Sequence, residues 1–514
     1  MMKNKNMQEP MYHPVTSASV GRRRLAFVIR TFDVLEWGTF TRLVDRAHRQ
    51  GFTTVRLQLS WCNAEKLPGI YEFDAYDAQI TYILSKGMDI ILTVDLQRRV
   101  YTVDGVETAV DAVIGTDEFQ YAYGADTYVV PNDCHTAMIS FASEAGVEAM
   151  VRFYGAAVKH FAEKFGRDVI AYAYPTFTPF FETEYWCAGA YDYSVHAKRA
   201  FSAFLSETYT SVEDLNLDLG TSYSAFEDVP MPPDTDRGPL GVLFYQCRHK
   251  TLKQLIDRLA DVQKTAAPEL PFAVQFGCVW DETSIRRGTL GFADLSESAA
   301  LVVVDDAPGS DHAFSMDCIA SALAGTKKTF GCEIKGYDMI EKGAATAEGY
   351  MEQGLISYRH NASVAYAADW MAEEPLYNFG YIFSTVSQEY LADGAPCDCV
   401  EEASDGEQIH IPLLKLFETG SIAEYQDDYR VITEDGERFC RICLHDDLTA
   451  KVYPNSIRGK DIRVDVITPD DAAKEEEKKS TKDTAMAVAA LGAAAAILAL
   501  GVAVKVFFSD RDGK

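Results

Sequence analysis

A strand, a helix and a second strand follow one another in Gly51-Phe-Thr-Thr-Val-Arg-Leu-Gln-Leu-Ser-Trp61, Glu65-Lys-Leu-Pro-Gly69-Ile-Tyr-Glu-Phe73-Asp-Ala-Tyr-Asp77 and Lys86-Gly-Met-Asp-Ile-Ile-Leu-Thr-Val94. The runs 53–59 and 88–94 are short and apolar, as the buried strands of a parallel sheet are. Residues 76–86 between them form a helix-like stretch. Because parallel neighbours need a crossover connection, this stretch predicts a βα unit of an α/β fold.

The same alternation recurs along residues 21–371, where eight strand-like runs alternate with helix-like stretches. Repeated βα units of this number are typical of a (β/α)8 TIM barrel, so we predict that fold class. The predicted strands are 25–30, 53–59, 88–94, 169–174, 272–279, 300–304, 329–332 and 363–368. The predicted helices include 40–50, 76–86, 146–165, 194–207 and 243–265.

Two insertions interrupt the alternation, at 97–141 and at 208–238. The first is rich in Tyr, Asp and Gly, and the second contains a cluster of prolines. A barrel builds its site from the loops at the carboxyl ends of its strands. We therefore expect both insertions to lie on the side of the barrel that carries function.

The alternation stops after Trp370, and the chain then changes character. Short β-type runs at 410–416, 429–432 and 461–467 predict a small β domain. The predicted organisation is an N-terminal tail at 1–20, a barrel at 21–384, a small β domain at 385–470, a charged linker at 471–484, and a transmembrane helix with a short tail at 485–514.

The segment from Ala485 to Val504 has twenty apolar or small residues and no charge. Twenty helical residues at about 1.5 Å each span roughly 30 Å, the thickness of a bilayer core. We predict a single-pass anchor, with a buried alanine-rich helix as the alternative. The first twenty residues contain no apolar run of the kind that a secretory signal needs. The body is therefore expected to be cytoplasmic, attached to a membrane by its C-terminal helix.

The net charge argues against nucleic acid as a partner, and the spacing of the cysteines does not match an established metal site. A net charge of −29 and a pI near 4.7 exclude nucleic acid, because phosphate binding needs a basic surface. The eleven cysteines are an odd number and are scattered, which indicates reduced thiols. Cys397 and Cys399 with Cys440 and Cys443 are the one set that could hold zinc, but the first spacing is too tight for the usual zinc knuckle. We expect no metal and no cofactor.

The stretch from Gly51 to Val94 resembles the second and third βα units of the glycoside hydrolases of the large retaining clan, closest to the family-42 β-galactosidases. In that pattern a strand ends in Trp, a segment of the form pG-x-Y-x-F-x-x-Y/F-D follows, and the next strand begins after a Gly and an apolar residue. The segments Ala200-Phe-Ser-Ala-Phe-Leu205, Tyr209, Leu215-Asn216 and 220–230 are similar to the region after the fourth strand of the same enzymes. The resemblance implies hydrolysis of O-glycosidic bonds, β-galactosidase-like, on a saccharide substrate.

Retaining hydrolysis needs two carboxyl groups about 5–5.5 Å apart, one as nucleophile and one as acid/base. In the clan they come from the ends of strands seven and four. Strand seven places Glu333 before a glycine, so the resemblance implies that Glu333 is the nucleophile. Strand four has Pro175-Thr176 where the family has Asn-Glu, and Glu182 and Glu184 follow in the loop. We assign the acid to Glu182 first and Glu184 second; the alternative is that both are solvated or bind a sugar hydroxyl.

Residue types that bind sugars stand at other predicted strand ends. Tryptophan faces contact pyranose C–H groups, and Arg or Asp bind hydroxyls. The alternative for each tryptophan is core packing, and Asp305 with Asp306 could instead cap a turn. If the altered strand-four motif has abolished catalysis, the alternative function is a membrane-anchored barrel that binds saccharides or scaffolds partners. The candidate substrate-binding residues are Arg56, Trp61, Trp186, Trp280, Asp281, Asp306 and Trp370.

Overall fold

The structure is a computed structural model. It describes residues 23–29, 34–99, 101–103, 106–108, 113–128, 136–166, 168–234, 236, 238–277, 284–289, 292–305, 328–334, 357–358, 362–368, 431–434, 437–443, 449–453 and 463–467.

Eight parallel strands form one sheet that curls into a barrel. The strands are β1 Arg24–Ile29, β2 Thr54–Ser60, β3 Asp89–Asp95, β4 Ile170–Thr176, β5 Ala273–Phe276, β6 Leu301–Asp305, β7 Thr329–Ile334 and β8 Val364–Ala368. In the sheet they lie in the order β4-β3-β2-β1-β8-β7-β6-β5. A parallel bridge between Ala173 and Phe272 joins its two edge strands, and the amide of Ala173 donates to the carbonyl of Pro271 at 3.1 Å. The eight predicted strands are confirmed, with ends that differ by a few residues, and so is the α/β barrel class.

Alternate residues of each strand face opposite sides, which separates the inside of the barrel from its helical layer. On β3, Ile90, Leu92 and Val94 belong to the large core under the helices. Ile91 belongs to a smaller cluster to which most of the strands contribute, and this cluster fills the inside of the barrel. The interior is therefore packed, and a ligand site can form only at its ends.

Within the described residues, six long helices surround the strands, and the five predicted helices are confirmed among them. Three begin at a serine whose side chain accepts a backbone N–H of the first turn: Ser143, Ser194 and Ser211. Another has Pro239 in its first turn, where the missing N–H costs no hydrogen bond. The helices are α1 Trp37–Arg49, α2 Asp74–Ser85, α3 Glu144–Phe165, α4 Val195–Thr208, α5 Val212–Leu219 and α6 Pro239–Ala266.

Short elements lie in the loops between these strands and helices. One-turn helices occur at Trp61–Ala64, Ser284–Arg287 and Phe292–Leu295, with 3₁₀ turns at Thr116–Glu118 and Phe226–Asp228. The paired short strands are Glu65–Leu67 with Ile70–Tyr71, Arg98–Arg99 with Thr136–Ala137, and Tyr101–Val103 with Val106–Thr108.

A four-stranded antiparallel sheet lies in the C-terminal region, consistent with the predicted β content there. Its strands pair in the order β9 Val431–Glu434, β10 Glu437–Cys443, β11 Thr449–Tyr453 and β12 Arg463–Ile467. The predicted runs at 429–432 and 461–467 fall on β9 and β12. The run at 410–416 lies outside the described residues.

The predicted anchor at 485–504 and the pair Cys397 and Cys399 also lie outside the described residues. Among the helices that the structure does describe, none is both long and apolar enough to cross a bilayer. Within the same residues no group of His, Cys, Asp and Glu side chains is arranged to hold a metal ion.

Candidate active site

Glu333 lies near the carboxyl end of β7, as the sequence predicts. Its backbone is in register with Asp305 on β6 and Tyr366 on β8. The side chain is fully buried inside the barrel. Its Oε2 atom accepts hydrogen bonds from Gln275 Nε2 at 2.8 Å and from Arg56 Nη1 at 3.2 Å. A cation and an amide donor at one oxygen stabilise the ionised carboxylate, the form that a nucleophile needs.

Arg56 on β2 holds Glu333 from across the barrel. Its guanidinium carbon lies 5.4 Å from the ring centroid of Tyr174 and 5.6 Å from that of Tyr366. Contacts with aromatic rings at this range are favourable and fix the guanidinium. Its Nη2 atom donates to the carbonyl of Phe181 at 3.1 Å. One side chain, predicted to bind substrate hydroxyls, therefore connects the nucleophile candidate with the loop after β4.

Gln275 on β5 completes the support of Glu333. Its Oε1 atom accepts a hydrogen bond from the Tyr174 hydroxyl at 2.7 Å. Because its carbonyl oxygen faces Tyr174, its amide nitrogen is the atom that faces Glu333. Gln275 and Tyr174 are not among the residues predicted from the sequence. Their places inside the barrel, one near the end of its strand, are the available signal.

The loop after β4 turns back on itself and returns to the barrel. The backbone amide of Phe181 donates to the carbonyl of Thr178 at 2.8 Å, and the backbone amide of Phe177 donates to the carbonyl of Glu182 at 2.7 Å. Phe181 has a φ of 65°, a left-handed conformation that is rare for an aromatic residue and costs energy. This turn lets the chain reach β5 immediately after Phe181.

Thr183 inserts between the ends of β4 and β5. Its amide donates to the carbonyl of Gln275 at 2.6 Å, and its hydroxyl donates to the carbonyl of Pro175 at 2.8 Å. The same hydroxyl accepts from the amide of Gln275 at 3.1 Å. Glu182 and Glu184, on either side of Thr183, are thereby held at the carboxyl end of the barrel, the end where Glu333 lies.

Glu184 is buried and paired with a cation. Its Oε2 atom accepts from the amide of Gly277 at 2.9 Å, and its Oε1 atom accepts from Arg287 Nη1. Burial raises the pKa of Glu184, the Arg287 guanidinium opposes this shift, and the neighbouring Glu182 adds to it. Arg287 lies directly over Gly277, where an added Cβ would overlap the guanidinium. Only glycine leaves room for the guanidinium.

Glu182 has a weaker set of contacts. Its Oε2 atom accepts a hydrogen bond from the Thr178 hydroxyl at 2.8 Å. Its Oε1 atom is 3.9 Å from Arg287 Nη1, too far for a hydrogen bond. Arg287, which the sequence analysis did not select, thus lies between the two acid candidates and forms its close ion pair with Glu184.

Two of the predicted tryptophans are buried. Trp61 stacks on Phe153 with centroids 5.4 Å apart, and its Nε1 donates to Glu65 Oε2 at 2.6 Å. Its ring is therefore part of the core and is not exposed to a ligand. Trp186 is only 2% exposed, and its ring centroid lies 4.4 Å from that of Phe180. Phe180 is 43% exposed, so it is the residue of this pair that presents an aromatic surface to solvent.

Four further candidates, Trp280, Asp281, Asp306 and Trp370, lie outside the described residues. A carboxylate that is not among the predicted site residues, Asp95, is the last residue of β3 and is completely buried. Its position at the end of an apolar strand was a signal available in the sequence.

Comparisons with known proteins agree with the resemblance drawn from the sequence. The profile of glycoside hydrolase family 42, beta-galactosidase, matches residues 157–286. This stretch contains β4, the loop with Glu182 and Glu184, and β5. A search of curated protein sequences finds no match to the chain. The resemblance to family-42 β-galactosidases is therefore confirmed over the part of the barrel where the strand-four motif differs.

Solved structures share the barrel. The β-galactosidase of the psychrophilic Marinomonas ef1 matches with a TM-score of 0.56 and 14% identity over 74% of this chain and 62% of its own. The β-galactosidase of the haloarchaeon Halorubrum lacusprofundi matches with a TM-score of 0.54 and 17% identity, over 72% of this chain and 58% of its own. The catalytic domain of a β-amylase from Paenibacillus polymyxa matches with a TM-score of 0.53 and 14% identity, over 71% of this chain and 99% of its own. These identities show a shared fold, and the chain spans about three fifths of each β-galactosidase.

Proposed function

We propose that this chain is a retaining glycoside hydrolase that acts on β-galactosides, with Glu333 as its nucleophile. The observation that carries the proposal is the pair of bonds from Arg56 and Gln275 to Glu333 Oε2, at 3.2 and 2.8 Å, near the end of β7. Catalytic groups of such barrels occupy the carboxyl ends of strands. The family-42 match and the barrels of the solved β-galactosidases support the substrate class.

The proposed reaction has two steps. In the first, a carboxylate oxygen of Glu333 attacks the anomeric carbon while the acid passes its proton to the leaving oxygen; the glycosidic bond breaks and a glycosyl ester forms. In the second, water attacks the same carbon and gives a proton to the conjugate base of the acid. The ester bond then breaks, which releases the sugar and restores the Glu333 carboxylate.

We assign the acid/base role to Glu182, with Glu184 as the alternative. Both carboxylate oxygens of Glu184 already accept hydrogen bonds, one from the backbone amide of Gly277 and one from Arg287. Glu182 accepts from the neutral hydroxyl of Thr178 and lies 3.9 Å from Arg287. Glu182 is therefore less engaged by the guanidinium than Glu184, and this difference favours it as the group that contacts the leaving oxygen.

The second candidate function is saccharide binding without hydrolysis. The observation in its favour is the ion pair between Glu184 and Arg287, which engages one of the two acid candidates. The family's Asn-Glu pair is also missing, because β4 ends in Pro175-Thr176. A barrel of this kind would bind the sugar at the same end and leave it intact.

We also propose that the segment 485–504 attaches the protein to a membrane.

Hydrolysis by the full-length chain of a panel of aryl β-glycosides, including 4-nitrophenyl β-galactoside, tests the proposal. Glu333→Gln should lower turnover by about 10³-fold or more, because it removes the attacking carboxylate. The matched control is Glu65→Gln, which alters another buried glutamate, one bonded to Trp61 and to the amide of Gly69. Turnover by Glu333→Gln equal to that of the control would refute the nucleophile. Binding of a galactoside without turnover by the unaltered chain would favour the second candidate.

A further inference from the structure

Asp95 lies at the mouth of the barrel, opposite Glu333. In the ring of eight strands, β3 and β7 are four positions apart in both directions. Asp95 is the last residue of β3, and its backbone is in register with Ser60 on β2 and Thr176 on β4. Because side chains alternate along a strand, Asp95 faces the same side as Ile91, which is the inside of the barrel.

One oxygen of Asp95 is held rigidly. Its Oδ1 atom accepts from Gln97 Nε2 at 2.7 Å, and the same nitrogen donates to the carbonyl of Thr178 at 2.8 Å. The other end of the Gln97 amide accepts from the Thr136 hydroxyl at 3.1 Å. Gln97 is therefore fixed by three partners, and it orients the Asp95 carboxyl.

The other oxygen of Asp95 has no such partner. Within the part of the chain that the structure describes, no donor forms a hydrogen bond with Oδ2, although the residue is completely buried. Burying an acceptor without a donor is unfavourable, and such atoms in folded proteins call for an explanation. Burial also raises the pKa of Asp95 to about 7, against the opposing effects of its bonds to Gln97 and of the Arg98 charge.

We propose that Asp95 Oδ2 accepts a hydrogen bond from a hydroxyl of the saccharide bound between Asp95 and Glu333, which makes Asp95 a specificity-determining residue. Barrels of this kind form their sites at the carboxyl ends of the strands, where Asp95 lies, and a neutral hydroxyl supplies the missing donor. This inference rests on the proposed function for its ligand class.

Asp95 also shares a network with the acid candidate. Gln97 bonds both Asp95 and the carbonyl of Thr178, and the Thr178 hydroxyl donates to Glu182 Oε2 at 2.8 Å. A sugar hydroxyl on Asp95 therefore lies at the same end of the barrel as the groups assigned to the chemistry. A buried acceptor of this kind discriminates strongly against an analogue that lacks the matching hydroxyl.

The test measures dissociation constants of methyl β-galactoside and its 2-, 3-, 4- and 6-deoxy analogues by titration calorimetry with the full-length chain and with Asp95→Asn. The asparagine keeps an acceptor for Gln97 and replaces Oδ2 by a donor. We expect one deoxy analogue to bind the unaltered chain at least about 10-fold more weakly than the parent sugar. Asp95→Asn should weaken the parent by a similar factor and abolish the difference between these two ligands. Asp74→Asn, an exposed change of the same charge, is the matched control.

Two results would overturn the proposal. The first concerns the unaltered chain alone. It is either equal affinity for the parent sugar and all four deoxy analogues, or no binding of any of them. The second is an equal loss for every ligand in Asp95→Asn, which would indicate a positioning role through Gln97. Binding that depends on Asp95 without any turnover would support this inference and contradict the proposed hydrolysis. Turnover that is lost in Glu333→Gln but unaffected by Asp95→Asn would support the proposed hydrolysis and contradict this inference.

Discussion

Arg56 and Glu333 are 277 residues apart in the chain, and inside the barrel Arg56 Nη1 lies 3.2 Å from Glu333 Oε2. Both side chains are buried, so water screens this contact weakly. The same guanidinium also holds the carbonyl of Phe181, one residue before the acid candidate Glu182. Its fork shape is what allows it to bond both groups at once.

Replacing Arg56 by lysine should separate the effect of its positive charge from that of its two hydrogen bonds, to Glu333 and to the carbonyl of Phe181. Lysine keeps a positive charge but cannot donate to Glu333 and to Phe181 in the same way, so we expect kcat/KM on an aryl β-galactoside to fall by about 10–100-fold. Arg49→Lys, at the exposed end of α1, is the control. An unchanged kcat/KM in Arg56→Lys, with thermal unfolding also unchanged, would show that the fork has no role in the reaction.

The two acid candidates are expected to differ in their dependence on the leaving group. Glu182→Gln should lower kcat/KM by about 10²–10⁴-fold for a phenyl β-galactoside, whose leaving group needs a proton. For a dinitrophenyl β-galactoside the loss should be much smaller, and added azide should restore turnover. Glu184→Gln should affect both substrates alike, because it disturbs the ion pair with Arg287. The opposite pattern would assign the acid to Glu184.

The Asp95 carboxyl should make stability depend on pH. Its pKa is raised from 3.8 to about 7 by burial, so folding favours the neutral form. The contribution of the Asp95 carboxyl to the free energy of unfolding is fully present below about pH 3.8 and is lost as the pH rises through about 7. We compare the free energy of unfolding of Asp95→Asn with that of the unaltered chain. As the pH rises from 5.5 to 8.0, we expect this difference to grow by about 1–2 kcal/mol in favour of the variant. Urea unfolding measures this gain, and a difference that is constant with pH would contradict it. Asp74→Asn should show no such trend.

Gly277 is expected to be intolerant of any side chain. An alanine Cβ there would overlap Arg287 Nη1 and move the guanidinium away from Glu184, which leaves a buried charge poorly compensated. We expect Gly277→Ala to lower the free energy of unfolding by about 2–4 kcal/mol. At Gly115, an added Cβ meets nothing within 4 Å, so Gly115→Ala is the matched control. Equal denaturation midpoints for the two variants would disprove the prediction.

Truncation before Ala485 should release the protein from membranes. The segment 485–504 is uncharged and long enough to span a bilayer core. Fractionation of cells that express the full-length and truncated chains measures the effect, with the full-length chain as the control for sedimentation. A truncated chain that still sediments with membranes would rule out the segment as the anchor.

Most of the fold was predictable because strands and helices differ in local pattern. Buried parallel strands appear as short apolar runs, and all eight runs became barrel strands. The position of Glu333 near the end of β7 followed from the same pattern together with the family resemblance. Trp61 shows the limit of such reasoning, because a tryptophan at a strand end can bind a ligand or pack in the core. Here the stacking on Phe153 and the bond to Glu65 place it in the core.

The sequence by itself determined the α/β barrel, the order of its strands along the chain and the residue types at their carboxyl ends. Tertiary structure decided which of these residues meet. Arg56 reaches Glu333 across 277 positions, and Arg287 reaches Glu184 across 103. Burial and the missing donor at Asp95 are likewise visible only in three dimensions. The reason is physical: local pattern depends on backbone periodicity and apolar burial, whereas a side chain's partners and its protonation depend on groups that only the closed barrel brings together.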